Sequence, residues 1–163
     1  MSCAHLTAIA RKNPSAPMKW LCAKDCLVGD ILDYGCGRGK DVAWLNSKVD
    51  EEGLEGQRVI GFDPYYAPNT IVNGMANCFD TITCNFVLNV IEGCQDRENV
   101  IHHIKGLLRP NGRAYVAIRA DKKKLNGFTK RGTFQTYVTI LPAHGFTLIH
   151  KTGSYELYEY IKP

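Results

Sequence analysis

The sequence lacks any apolar stretch of the roughly 18 residues that a membrane-spanning helix requires, because charged or polar residues interrupt every candidate. Its start, MSCAHLTAIARKN, also lacks the basic-then-apolar order of a secretory signal. The seven cysteines are odd in number and irregularly spaced, which disfavours a complete disulfide framework. We therefore expect a reduced, cytoplasmic protein rather than a secreted or membrane-bound one.

Internal repeats, low-complexity tracts and linker-like stretches are missing too, which favours one compact unit. The chain has 163 residues, of which 45% are hydrophobic and 22% charged, enough to fill a core. The pair Cys22 and Cys26 has no second Cys or His pair at zinc-ligand spacing, so we expect no metal. We predict a single domain over residues 1–163, with 1–28 as an N-terminal helical lid and 29–163 as the core.

The pattern of apolar runs and turn residues predicts alternating strands and helices. Such alternation favours an α/β fold with a mostly parallel sheet, helices on both of its faces and an antiparallel hairpin at its C-terminal edge. The predicted helices cover residues 18–27, 40–49, 97–108 and 134–143. The predicted strands cover residues 30–34, 58–62, 70–72, 79–84, 113–119, 146–151 and 155–161.

The sharpest feature is the run DYGCGRG over residues 33–39, between the first predicted strand and the helix that follows it. In open α/β sheets, ligands bind at the carboxyl ends of the strands, and the first strand-to-helix turn is a favoured position. Glycines there permit positive φ angles and let a ligand approach the backbone closely. This loop is therefore the candidate binding site.

The spacing of the glycines in this loop disfavours two nucleotide-binding motifs. A P-loop needs a leading glycine and a Ser or Thr after the lysine, but Tyr34 and Asp41 stand at those positions. A dinucleotide-binding loop would place the third glycine one residue later. Asp33 would repel a pyrophosphate but suits a ligand ammonium group, and Asp63 closes the next strand where an acid binds ribose hydroxyls. A ribose-bearing aminoacyl ligand fits both acids, which points to S-adenosylmethionine (SAM).

At these positions the chain resembles the class I SAM-dependent methyltransferases, a family with a Rossmann-like fold. The resemblance rests on four runs in order: residues 31–39, 61–63, 79–88 and 107–113. Residues 88–91 and 131–135 are also similar to a family of small methyltransferases found with DNA phosphorothioation systems. The first resemblance implies methyl transfer from SAM, with S-adenosylhomocysteine (SAH) as the product.

The resemblance also implies roles for individual residues. The loop glycines would line the methionine part of SAM, Asp33 would lie near its amino group, and Asp63 would bind the ribose. Tyr65 or Tyr66 would lie against the adenine, and Asn85 would face the transferred methyl group as the catalytic candidate. We expect Cys36 to be a packing residue rather than a nucleophile. The predicted cofactor-binding residues are Asp33, Gly35, Cys36, Gly37, Gly39, Asp63, Tyr65 and Asn85.

The acceptor of the methyl group stays open. We hypothesise that the basic segment from Arg119 to Arg131 is a mobile loop that contacts an anionic acceptor, with nucleic acid as the leading example. The run NFVL at 85–88 lacks the Pro-Pro-aromatic motif of DNA amino-methylating enzymes, and the Pro-Cys of cytosine-C5 enzymes is absent. A non-catalytic SAM-binding accessory or regulatory subunit remains an alternative, and an NAD-dependent oxidoreductase is disfavoured by the loop spacing. The predicted nucleic-acid contacts are Lys122, Lys123, Lys124, Lys130 and Arg131.

Overall fold

The computed structural model describes residue 7 and residues 11–52, 57–68, 70–121 and 125–163, with only the backbone at 52, 70 and 71. Four α-helices lie in this part of the chain: α1 (Ala16–Ala23), α2 (Lys40–Glu52), α3 (Thr70–Asn73) and α4 (Cys94–Leu107). Its strands are β1 (Ile31–Tyr34), β2 (Val59–Phe62), β3 (Phe79–Asn85), β4 (Leu108–Arg119), β5 (Asn126–Phe128), β6 (Phe134–Thr136), β7 (Thr147–Lys151) and β8 (Tyr155–Ile161). Two 3-10 turns lie at Leu88–Val90 and Pro142–His144.

Six of the strands form one sheet in the order β2-β1-β3-β4-β8-β7. The pairs β2–β1, β1–β3 and β3–β4 are parallel, whereas β8 runs antiparallel to both β4 and β7. The parallel strands are joined through helices, which is the usual way to connect parallel neighbours. The predicted α/β class, with its antiparallel C-terminal edge, is confirmed.

Helices cover both faces of this sheet because successive side chains point to opposite sides of a strand. Leu32 packs in the same cluster as Ile101 and Ile104 of α4. Its neighbour Ile31 packs instead with Met18 of α1 and with α2. The sheet is thus buried on both sides, and its ligand-binding edge is where the parallel strands end.

Two predicted elements are wrong. Residues 70–72 are β-branched and suggest a strand, but they belong to the short helix α3, and β2 is the edge strand of the six-stranded sheet. Residues 134–143 were expected to be helical from their apolar spacing. They instead begin with β6, which pairs with β5 in a separate two-stranded sheet, and end near the turn at Pro142. Long-range pairing overrides local propensity at residues 134–136, where β6 pairs with β5.

Helix α1 is held against the start of α2. The hydroxyl of Ser15 caps α1 by accepting from the Met18 amide, and it donates to the buried carboxylate of Asp41 at 2.7 Å. Met18 and Leu21 are fully buried against the sheet. This part of the predicted lid is therefore packed into the core, and a lid movement of residues 1–28 stays a prediction.

Among the described residues, no helix is long and apolar enough to cross a lipid bilayer.

Candidate active site

A cavity of about 1230 Å³ lies where the parallel strands end. Its wall is formed by the loop after β1, the turn after β2, the segment after β3, the end of β4 and the β5–β6 hairpin. The structure thus brings the predicted loop into one site with Asp63 and Asn85. The residues that line the cavity include Tyr34, Gly35, Cys36, Gly37, Arg38, Asp63, Tyr65, Asn85, Phe86, Val87, Arg119, Arg131, Thr133 and Gln135.

The glycine loop needs its glycines for conformational reasons. Gly35, Gly37 and Gly39 have φ angles of 76°, 53° and 72°, in the left-handed region that other residues avoid. At Gly35 there is also no room, because a Cβ would overlap Cγ2 of Val87. Gly39 does not line the cavity and has open space beside it, so its predicted contact with the cofactor is unsupported by the lining.

The backbone N–H groups of this loop are largely used within the protein. Gly35 and Cys36 donate to the carbonyl of Phe62, at 2.6 and 3.1 Å. Gly37 donates to Asp63, and Gly39 to the carbonyl of Cys36. A phosphate-binding loop instead points its N–H groups at the ligand. The arrangement therefore supports the exclusion of a P-loop.

Asp63 connects the end of β2 to the glycine loop. Its Oδ2 accepts from the Gly37 amide at 3.0 Å, and its Oδ1 accepts from the amides of Tyr65 and Tyr66 at 2.9 Å each. The carboxylate also lines the cavity. These three bonds fix its orientation, and the remaining lone pairs can accept from ligand hydroxyls.

The two tyrosines after Asp63 have different surroundings. Tyr65 lines the cavity and is 62% exposed. Tyr66 does not line it; its ring lies 5.1 Å from the guanidinium carbon of Arg38, a cation–π contact. The rings of Tyr65 and Tyr66 meet edge to face, with their centroids 4.8 Å apart. Of the two residues predicted to contact the adenine, only Tyr65 lines the cavity.

Asp33 lies beneath the loop rather than on the cavity wall. Its side chain is 3% exposed, and one carboxylate oxygen accepts from the Thr83 hydroxyl at 2.8 Å. Burial, and next the negative charge of Asp41, raise the pKa of Asp33 to about 7. A direct contact with the cofactor amino group stays a prediction, and the structure shows instead that Asp33 supports the strand that carries the loop.

This raised pKa predicts a pH dependence of stability. Between about pH 4 and pH 7 the unfolded chain ionises Asp33 while the folded protein keeps it protonated. The folded state then binds more protons, so its free energy of unfolding falls as pH rises, by at most about 1.4 kcal/mol per pH unit. Asp33→Asn should remove this fall, as urea unfolding of both proteins across this range would show. If the free energy of unfolding depends on pH in the same way in both proteins, Asp33 has the same pKa in the folded protein as in the unfolded chain.

Cys36 is held in the loop as a packing residue. Its side chain is 7% exposed and lies over Gly61, where a Cβ would come 2.7 Å from the Cys36 sulfur. Burial, followed by the charges of Asp33 and Asp63, raises the pKa of this thiol to about 12. The thiol is therefore neutral and a poor nucleophile at physiological pH, in agreement with the sequence interpretation.

Asn85 ends β3 and lines the cavity beside the glycine loop. Asp33 is the register partner of Thr83, so Gly35 and Asn85 follow two residues later on neighbouring strands. The next residue, Phe86, has a φ angle of 62°, which is strained for an aromatic residue. This strained turn ends the strand at Asn85, and both polar atoms of the Asn85 amide are buried without a hydrogen-bond partner among the described residues.

Two residues that shape the cavity wall, Asn89 after β3 and Gln135 of the hairpin, were missed by the sequence reasoning. The fully buried Asn89 donates to the Thr136 carbonyl at 2.7 Å and accepts from the Arg119 amide at 2.9 Å. It thereby ties β6 to the end of β4 and places Gln135 in the cavity wall. The incorrect helix assignment for 134–143 concealed this, since only a strand brings Gln135 to this position.

The basic segment is only partly in the site. Arg131 lines the cavity and Lys130 does not, while Lys122, Lys123 and Lys124 lie outside the described residues. Arg119 also lines the cavity, but its guanidinium makes a two-bond ion pair with Asp121, at 2.9 and 2.6 Å. Its charge is therefore largely balanced within the protein.

A family model described as a methyltransferase domain matches residues 6–150, most of the chain. The chain belongs to the methyltransferase-domain family. Together with the glycine loop and the Rossmann-like sheet, this identifies a SAM-dependent methyltransferase. Nothing matches the chain in a search of curated proteins.

Solved structures show the same fold. One is the 1,6-didemethyltoxoflavin-N1-methyltransferase of Burkholderia thailandensis with bound 1,6-didemethyltoxoflavin and SAH; it is 19% identical, with a TM-score of 0.65 over 99% of this chain and 79% of that one. Another is the N-methyltransferase NodS of Bradyrhizobium japonicum in complex with SAH, 15% identical, with a TM-score of 0.62 over 99% and 98% of the two chains. A [4+2]-cyclase is similar as well, with a TM-score of 0.54, 15% identity and coverage of 90% and 80%. At these identities the likeness concerns the fold, which hosts more than one chemistry.

Proposed function

We propose that this methyltransferase binds SAM across the glycine loop and transfers its methyl group to a small-molecule acceptor under the β5–β6 hairpin. SAM supplies an activated methyl group on a sulfonium. Gly35 and Gly37 line the cavity and would contact the methionine part, Asp63 holds the ribose, and Tyr65 covers the adenine. Asp33 supports the loop from below.

The observation that carries the small-molecule acceptor is the size of the cavity. It measures about 1230 Å³, whereas single drug-sized ligands occupy pockets of roughly 300–1,000 Å³. Room therefore remains beside the cofactor for a second small molecule. That part of the wall carries polar side chains from the hairpin, including Thr133 and Gln135. The toxoflavin enzyme of this fold holds a small acceptor together with SAH, which agrees with the proposal.

A nucleic acid is the second candidate acceptor, and fewer observations favour it. The net charge of the chain is only +4. Two of the cations predicted to bind phosphates, Lys130 and Arg131, belong to the described residues; Arg131 lines the cavity and Lys130 does not, and Arg119 is paired with Asp121. Phosphate binding needs several such cations acting together.

The part of the cavity that lies beyond the glycine loop, under the β5–β6 hairpin, favours catalytic activity over cofactor binding alone. A regulatory SAM-binding subunit needs a site for SAM only, whereas here the hairpin encloses further space beyond the glycine loop. Methyl transfer from SAM is a displacement in which SAH is a good leaving group. The main contribution of such an enzyme is therefore to align the acceptor with the methyl group.

A methyl-transfer assay tests the acceptor class. The protein is incubated with SAM labelled in its methyl group and with separated small-molecule, DNA, RNA and protein fractions of a cell extract. We expect the label to enter the small-molecule fraction, and to stop doing so in an Asp63→Ala variant. Label in RNA or DNA would overturn the small-molecule proposal, and SAM binding without any transfer would favour the regulatory subunit.

We also propose that the protein works in the cytoplasm. The six described cysteines are all free thiols, and two of them, Cys36 and Cys84, are buried in the core. A reducing compartment keeps thiols in this state.

A further inference from the structure

Two amide side chains in the cavity wall lack the partners that buried amides normally have. Both the nitrogen and the oxygen of the Asn85 amide, and the side-chain oxygen of Gln135, are buried without a hydrogen-bond partner among the described residues. Gln135 is only 9% exposed. Native proteins rarely leave buried amides unsatisfied, and a ligand that completes them is one physical reason for keeping them.

The fold brings these two amides into the wall of the same cavity. Asn85 on β3 is the register partner of Ala117 on β4, and Arg119 follows two residues later. Asn89 joins the Arg119 amide to the carbonyl of Thr136, the residue after Gln135. The pairing of β3 with β4 places Asn85, and the two Asn89 hydrogen bonds place Gln135, in the wall of one cavity.

Their unused groups define what an acceptor must offer. Two oxygens, one on Asn85 and one on Gln135, require N–H or O–H donors, and the Asn85 nitrogen requires an acceptor. A hydroxyl brings one hydrogen and satisfies one of the oxygens. An amino group brings two hydrogens, satisfies both, and keeps its lone pair for the methyl carbon.

We propose that Asn85 and Gln135 form the acceptor subsite and that the methyl acceptor is an uncharged amino group with a hydrogen-bond acceptor beside it. This inference rests on the proposed function and specifies its substrate class. The amino group must be uncharged before reaction, as it is when conjugated to a ring, because an alkylammonium has no lone pair to attack with.

The chemical step is a displacement at carbon. The nitrogen lone pair forms a bond to the methyl carbon while the carbon–sulfur bond breaks, and that electron pair stays on sulfur as the thioether of SAH. The nitrogen becomes positively charged and then releases one N–H proton to water. The two amide oxygens hold the N–H groups throughout, so they stabilise the positive charge as it develops.

An oxygen acceptor fits these groups less well. A hydroxyl must lose its proton as it attacks, and an amide cannot take up that proton. The nearby thiol of Cys36 stays protonated because burial raises its pKa to about 12. The subsite is therefore suited to align a nucleophile that can attack the methyl carbon without first losing a proton.

Sinefungin tests the inference without knowledge of the natural acceptor, because this SAM analogue carries an amino group at the position of the methyl group. Calorimetry would compare its Kd with that of SAH on the wild type and on Asn85→Leu, Gln135→Leu and Asn85→Asp. Gln95→Leu, an amide-to-leucine change on the exposed face of α4, is the matched control. We expect the wild type and the control to prefer sinefungin by about tenfold or more, the effect of one hydrogen bond to a charged donor.

The leucine variants should lose this preference while their affinity for SAH is kept, and Asn85→Asp, which retains the oxygen acceptors, should preserve or increase it. Binding of SAH with no preference for sinefungin in the wild type would overturn the inference, as would a preference that survives in both leucine variants. An equal loss of SAH and sinefungin binding in Asn85→Leu would also overturn it, by making Asn85 a cofactor contact only. If the wild type binds neither ligand, the proposed function itself fails.

Discussion

Replacing Asp63 with alanine should weaken SAM binding by about 100-fold or more, because hydrogen bonds to a charged group contribute about 1.5–3 kcal/mol each. The change removes the acceptor that we propose for the ribose hydroxyls. It also releases the backbone amides of Gly37, Tyr65 and Tyr66, which the carboxylate now holds at 2.9 to 3.0 Å. The site would lose a ligand contact and the fixed position of its loop together.

The sheet should survive this substitution, since β2 keeps its register with β1 from Val59 to Phe62. Circular dichroism checks the fold and calorimetry measures the affinity. The matched control is Asp80→Ala, which removes a carboxylate near the opposite end of the strands, where Asp80 pairs with Arg109 at 2.6 Å. That variant should bind SAM normally. A folded Asp63→Ala protein with wild-type affinity would show that the ribose is held elsewhere.

Gly35→Ala should destabilise the protein by about 1–3 kcal/mol, the usual cost of a strained backbone position, and should also reduce SAM affinity strongly. Two effects add here. The φ angle of 76° disfavours any L side chain, and the new Cβ would overlap Val87, so the chain after β3 must move. That movement displaces the segment next to Asn85.

Gly39→Ala separates these two effects. Gly39 has a similar φ angle of 72°, but nothing lies within 4 Å of a Cβ built there. It should therefore show the backbone cost alone, about 1–2 kcal/mol, with SAM affinity close to normal. Chemical unfolding and calorimetry on both variants give the comparison. Equal losses of affinity in the two variants would mean that the overlap with Val87 does not affect SAM binding.

The parts of the site that were predictable from sequence are those encoded by local chemistry. The run from Asp33 to Gly39 carries its function in residue type and spacing, because only glycines accept the positive φ angles of this turn. Asp63 was recognisable because an acid at the end of the second strand has a defined place in this kind of sheet. Both were found without any knowledge of the three-dimensional structure.

The hairpin was not predictable in this way, because its structure depends on distant residues. Gln135 reaches the cavity only because β6 pairs with β5 and because Asn89, about 47 positions earlier in the sequence, bonds the Thr136 carbonyl. The local pattern of 134–143 favoured a helix instead. Asp33 was identified correctly as part of the loop strand, but its raised pKa comes from its burial in the folded protein and from the negative charge of Asp41, against the hydrogen bond from Thr83 that lowers it.

The most direct test of the account is calorimetric titration of the protein with SAM, SAH, NAD and ATP. We predict that SAM and SAH bind at one site per chain and that NAD and ATP do not, because the loop uses its N–H groups internally instead of pointing them at a phosphate. At a ligand concentration 100-fold above Kd, SAH should stabilise the fold by about 2.7 kcal/mol, which is visible as a rise in Tm. Binding of NAD without binding of SAM or SAH would contradict the account.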